Sequence, residues 1–253
     1  MTDKLMKDKL DTIRPKFYIA IRRFFRLYVS TRPKLYAIYA RARRLPFRLA
    51  RETQVVVDSY PRSANSFFEA AFTKAHEGRI EVAHHSHSAA QVLSGAARDL
   101  PCIVLVREPE AAIASFYEMH EGQYPIWLCT QEYVTFYSTL VPALDKLMII
   151  TTETLETRFH RLMVTLRDSW NLPVEPYEID AAMRSELYQM VDKTGKARNA
   201  SETERYSERV SSEEKTQRRA DLNAIRRMVR DPDNAHSLGK ARELYERFKH
   251  NAL

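Results

Sequence analysis

Near the N-terminus the apolar residues recur with the period of a helix. Phe17, Ala20, Ile21, Phe24, Phe25 and Tyr28 fall at i, i+3, i+4, i+7, i+8 and i+11 and so make one stripe. Lys16, Arg22, Arg23 and Arg26 lie on or beside the opposite face. Pro33 interrupts the pattern, and a second basic and aromatic stretch follows through Leu35, Ile38, Tyr39, Arg41, Arg43 and Arg44. From residue 54 the pattern changes to short apolar runs alternating with helical stretches, which is the mark of parallel βαβ units. Gln54 to Ser59 reads as a buried strand rich in β-branched residues. After a turn at Pro61-Arg62-Ser63, Phe67, Phe68, Ala71 and Phe72 form the apolar face of a helix.

The same reading continues down the chain. Ile80 to Ala83 is a short strand, 88–97 a helix and Cys102 to Val106 a third strand, and Pro109 occupies the first position of the next helix. An aromatic-rich helix is expected over 131–141, a fourth strand over Leu147 to Thr151 and a helix from there to about Asn171. The last part reads as helices separated by a polar loop at 192–212. The fold class is therefore α/β, with a central parallel sheet of about four to five strands flanked by helices. It carries a helical basic arm at 1–52 and a helical C-terminal region within an α/β domain at 53–253.

Charge sharpens this division. The 253 residues carry a formal +7, but residues 1–52 hold 15 Lys/Arg and 4 Asp/Glu, a net of +11, and the remaining 201 hold 25 and 29, a net of −4. Two readings of the arm stay open. Its stripe packs on the domain with the arginines solvated, or residues 14–48 lie on an anionic membrane surface. Nucleic acid is not the expected partner, because no recognised binding motif accompanies the charge. Two cysteines, Cys102 and Cys129, cannot build a disulfide framework or a cysteine zinc site. With no signal peptide or apolar span, a cytoplasmic location is expected, peripheral to a membrane at most. Oligomeric state is not legible.

Glycine is scarce. Usage of about 7% would give roughly 18, yet only Gly78, Gly95, Gly122, Gly195 and Gly239 occur. None fits the dinucleotide fingerprint or the Walker loop, so a phosphate cradle must be built from other residues.

Ligands of open α/β sheets bind beyond the carboxyl ends of the strands. The first such turn, Ser59-Tyr60-Pro61-Arg62-Ser63-Ala64-Asn65-Ser66-Phe67, joins an arginine and short polar donors to a helix N-terminus, where unpaired N–H groups favour an anion. The third strand ends in Val106-Arg107-Glu108-Pro109, and Ser115 follows on the second turn of the next helix. Arg107 and Ser115 make a second anion clamp, unless Arg107 pairs with Glu108 or Glu110 and Ser115 bonds back to its own helix. Two clamps suggest a ligand with two separate phosphate-type groups.

Tyr60 to Phe67 resembles the 5′-phosphosulfate loop of sulfotransferases that use 3′-phosphoadenosine 5′-phosphosulfate (PAPS). Val106-Arg107-Glu108-Pro109 with Ser115-Phe116-Tyr117 is similar to the 3′-phosphate motif of that family, and His85-Ser86-His87 stands where it has Lys-Thr-His. The resemblance covers roughly residues 53–171. It implies a sulfuryl group moved from PAPS to a hydroxyl acceptor, with adenosine 3′,5′-bisphosphate as product and no metal. His87 would be the catalytic base and Arg62 the stabiliser of the departing phosphate. Ser63, Ala64, Asn65, Ser66 and Phe67 would surround the 5′-phosphate. Arg107 and Ser115 would hold the 3′-phosphate, helped by Lys196 and Arg198 in a loose echo of a later motif.

The chain departs from the pattern at Ala64, where the family has glycine, at His85 in place of lysine, and at Thr152 in place of an adenine-contacting tyrosine. For His84 to His87, base, structural and metal-binding roles stay open, although no carboxylate or cysteine is close in sequence to complete a ligand set. His85, Tyr117, Tyr124 and Trp127 are candidates for contact with the acceptor, expected to be a glycan, glycolipid or lipid hydroxyl near a membrane. The alternatives are a catalytically degenerate nucleotide- or membrane-binding protein on the same fold, and a divergent nucleotide kinase.

Overall fold

The computed structural model describes residues 17–120, 122–198 and 212–253, except for the side chains of 194–198 and 212–215. Among these residues four strands form one parallel sheet in the order β2-β1-β3-β4, with β1 at Val55–Ser59, β2 at Val82–His84, β3 at Cys102–Val106 and β4 at Leu147–Thr151. The expected parallel α/β architecture is thus present with four strands. Every residue of β1 and β3 is buried, which is why these strands read as continuous apolar runs rather than alternating ones.

Alternate side chains feed two separate cores. Val56, Val104 and Ile149 point to one face, where they meet α4 (Ala89–Ala96), α6 (Ile126–Leu140) and the final helix Ala235–His250. Val55, Val57, Ile103, Leu105 and Ile150 point to the other, against α3 (Asn65–His76), α7 (Leu155–Trp170) and α8 (Ala181–Arg198). The chain leaves β1 toward β2 on one side and reaches β3 on the other. The topological switch point therefore lies between β1 and β3, and this puts the 59–65 turn and the 106–109 turn on one crevice.

Boundaries moved where local signals conflict. β2 begins at Val82 rather than Ile80, whose N–H is instead bonded to Nδ1 of His76 in α3 at 3.3 Å. Pro125 caps α6, which begins at Ile126, five residues before the expected start. Helix α8 runs to Arg198, so residues 192–198 of the expected polar loop are helical; residues 199–211 lie outside the described residues. In α5 (Pro109–Met119) the Glu108 carboxylate accepts from the N–H groups of Glu110 and Ala111 and caps the helix that proline opens.

The arm forms α1, over residues 17–27, and α2 (Pro33–Ala42). Its orientation reverses the packing reading. The arginine face is inward: Arg22 donates from Nε and Nη2 to the two oxygens of buried Glu132 at 2.7 and 2.9 Å, and its guanidinium lies 4.1 Å from the Tyr124 ring centre. Arg26 donates to the carbonyl of His87 at 2.7 Å. Phe17, Ile21 and Phe24 are instead 66%, 50% and 61% exposed. Among the described residues no helix is long and apolar enough to cross a membrane.

Breaking a buried ion pair by removing one partner strands the other charge, at a cost of about 3–5 kcal/mol. Arg26 still lies 3.8 Å from Glu132, so Arg22→Ala is expected at the lower end, about 3 kcal/mol. Urea unfolding of the variant against the parent checks this, and an unchanged midpoint would mean that the arm does not depend on the pair.

Candidate functional site

A cleft of about 1060 Å³ opens at the switch point. Its floor comes from the turn after β1. Arg62 and Ala64 there both have left-handed backbone, with φ of 69° and 64°. Such a conformation costs a residue with a Cβ about 1–2 kcal/mol, which is why a glycine is the usual occupant. The turn swings the chain directly into α3, whose N-terminus has no side-chain cap. The N–H groups at the start of α3 therefore carry the positive end of its dipole beside the cleft, which Ala64, Asn65, Ser66 and Phe67 help to line.

Opposite stands the loop after β2, where His85 and His87 are also left-handed, with φ of 53° and 49°. With Phe47, at φ 55°, five residues other than glycine in this conformation line one cavity. Strain of this kind persists only where the surroundings over-determine it, and it gathers at functional sites. In the loop after β2, Asp58 is what over-determines it. Its buried carboxylate accepts from Ser86 Oγ, from the His87 N–H at 2.9 Å and from the Ser88 N–H at 3.4 Å, and the Ser59 N–H adds a fourth bond at 3.0 Å. Burial nevertheless pushes the Asp58 carboxyl up to about 6, against the pull of those bonds.

The His87 ring is fixed on one side. Nδ1 lies 3.0 Å from the Ser59 carbonyl, which can only accept, and this contact favours the proton on Nδ1 and the lone pair on Nε2; the Asn65 amide nitrogen lies farther from the same atom, at 3.4 Å. Burial, then the neighbouring Arg26 charge, lowers its pKa to about 3. The imidazole is accordingly neutral at physiological pH.

The two expected clamps meet. Arg62 Nε donates to Ser115 Oγ at 3.1 Å, and Arg107 Nη1 donates to the carbonyl of Arg62 at 2.8 Å. Glu108 is occupied in capping and Glu110 pairs with Arg242 and Arg230, so neither claims Arg107. Among the described residues Arg107 has no carboxylate within ion-pair distance. Ser115 is buried, and its hydroxyl is taken up by Arg62. Ser63 is fully buried and does not line the cleft. Lys196 and Arg198 lie at the end of α8, with their side chains outside the described residues.

The aromatic wall of the cleft was not anticipated. Tyr117, Tyr124 and Trp127 do not line it: Tyr124 packs beneath Arg22, and Trp127 lies on the surface under Arg23. Phe25, Tyr36, Tyr39 and Phe47 of the arm line it instead. Sequence reasoning also missed Glu69. On α3 it stands 3.6 Å from His84 Nε2 and from His85 Nδ1, supplying the carboxylate that no neighbour in sequence provides. Among the described residues Glu69, His84 and His85 are the one group whose ligand-type atoms, within 4.8 Å of one another, could hold a metal ion. His84 and His85 also meet each other through their Nδ1 atoms at 2.7 Å. One visible signal did exist for Asp58, a charged residue closing the run Val55-Val56-Val57.

No protein-family model matches this chain, and no curated protein matches it. Among solved structures, mouse sulfotransferase SULT7A1 complexed with PAP is similar over 77% of this chain and 91% of that one, at 10% identity and a TM-score of 0.38.

The low His87 pKa fixes a pH dependence. Between about 3 and 6.5 the unfolded chain binds a proton at this imidazole and the folded chain does not. The stabilisation is thus fully present above the unfolded value and is lost as pH falls. Asp58 acts in the opposite sense, its stabilisation being lost as pH rises through about 6, but it is common to parent and variant. The stability of the parent relative to His87→Asn should therefore fall by about 1 kcal/mol per pH unit below pH 6. Parallel unfolding curves at each pH would contradict the assignment.

Proposed function

We propose that the chain transfers a sulfuryl group from PAPS to a hydroxyl acceptor. The observation that carries this reading is the convergence on one cleft of the open N-terminus of α3, Arg62, Arg107 and a neutral imidazole whose Nδ1 is held. An anion binds naturally at the helix N-terminus, and Arg107 supplies a second positive group beyond it. A ligand with phosphate-type groups at two ends fits this division, and the cleft volume is at the upper end of that of small-molecule sites, about 300–1,000 Å³.

The donor supplies an activated sulfuryl group. The acceptor oxygen forms a bond to sulfur as the bond from sulfur to the bridging oxygen breaks, and adenosine 3′,5′-bisphosphate leaves. His87 Nε2 takes the acceptor proton. Arg62, oriented from behind by Ser115, stabilises charge on the bridging oxygen, as do the N–H groups at the start of α3. Arg107 holds the 3′-phosphate. A base with so low a pKa in the free protein gains proton affinity when a polyanion enters beside it, because the nearby negative charge favours the imidazolium. Phe25, Tyr36, Tyr39 and Phe47 give the acceptor an apolar and aromatic wall.

Calorimetry with adenosine 3′,5′-bisphosphate in the absence of metal should show binding that Arg107→Ala weakens about tenfold or more, the worth of one charge-assisted hydrogen bond. His87→Ala should leave that binding within about twofold while lowering sulfate transfer by about 10²–10⁴. Preference for ATP with Mg²⁺ would favour a kinase instead, and bisphosphate binding without transfer to any acceptor would mean a degenerate site.

A further inference from the structure

Amphipathic helices on soluble domains turn their apolar face to the core. Helix α1 does so only in part: Ile19 and Phe25 turn inward, but beside them its inward anchors are Arg22, stacked on Tyr124 and paired with Glu132, and Arg26, bonded to the backbone of the His87 loop. Phe17, Ile21, Phe24 and Tyr28 are left on the surface, and the apolar exposure continues on α2 with Leu35 and with Ile38, which is 67% exposed. An exposed apolar patch of this extent marks an interaction site.

The charge around it names the partner. From residue 12 to residue 51 there is not one aspartate or glutamate, while residues 17–51 contain ten arginines and lysines. Arg23, Lys34, Arg41, Arg43, Arg44 and Arg48 are all exposed. A second copy of the chain would bring two such surfaces together and repel itself. A nucleic acid would satisfy the arginines but give no partner to Ile21, Leu35 and Ile38. A bilayer with anionic headgroups satisfies both, because apolar side chains sink into the interface while each cation near the surface adds about 1 kcal/mol.

We propose that α1 and α2 form a docking face for an anionic lipid bilayer, with Phe17, Ile21, Phe24 and Ile38 inserted and the surrounding arginines on the headgroups. This inference does not rest on the reaction assigned to the cleft. It does bear on it, since Phe25, Tyr36 and Tyr39 of the same two helices wall the cavity, so docking brings that wall to the bilayer.

The test is flotation of the full chain with vesicles of phosphatidylcholine alone and of phosphatidylcholine with phosphatidylserine. The chain should float with the anionic vesicles, less so at high salt. The double variant Ile21→Ser, Phe24→Ser should lose binding about tenfold or more. Because both side chains face outward, its melting temperature should match that of the parent. Arg41→Glu with Arg43→Glu should weaken binding and flatten its salt dependence. Failure of the parent to float, or equal flotation of the double variant, would overturn the proposal. So would a parent dimer that the double variant converts to monomer without any lipid binding, or tight binding of a DNA or RNA oligonucleotide in place of vesicles.

Discussion

The carboxylate of Asp58 is the constraint on which the cleft depends. It sits fully buried at the carboxyl end of β1 and gathers hydrogen bonds from Ser86, His87 and Ser88 across to β2. A buried carboxylate is costly unless its acceptor positions are filled, so the loop must come to it. That requirement accounts for two successive departures into left-handed backbone, at His85 and His87, without a glycine. It also places the His87 ring against the Ser59 carbonyl, which favours the proton on Nδ1.

The arm closes the same loop from outside. Arg26 donates to the His87 carbonyl, and Ser88 Oγ donates to the carbonyl of Ser30. The imidazole is thus held between a carboxylate below and an arginine above, and the arginine contributes to keeping it neutral. Position follows from those contacts, and protonation state follows first from burial and then from the Arg26 charge. The basic residues of the arm therefore divide by task, with Arg22 and Arg26 consumed in structure while those facing outward keep their charge at the surface.

Much of this was legible in the sequence, and what was not has a physical reason. β1, β3 and β4 were readable because strands buried on both faces must be apolar throughout. The turns after β1 and β3 were readable as neighbours on one crevice because strand order constrains where the carboxyl ends of the strands lie. The face on which α1 packs was not. Periodicity reports that a stripe exists but not what it faces, and the partner that reverses it, Glu132, lies 110 residues from Arg22. Glu69 was missed for a related reason, since α3 and β2 bring it to His84 and His85 only once the sheet has formed. Conversely, Ala64 stood out as an anomaly in the turn, and its backbone is in the conformation that a glycine would take there.

The proposed transfer requires the cleft to hold a nucleotide by its two phosphate ends beside a neutral imidazole. A crystal structure with adenosine 3′,5′-bisphosphate tests this most directly. The account predicts the 5′-phosphate on the backbone N–H groups at the start of α3 with Arg62, and the 3′-phosphate on Arg107. A nucleotide bound elsewhere, or one whose phosphates touch neither arginine, would contradict it.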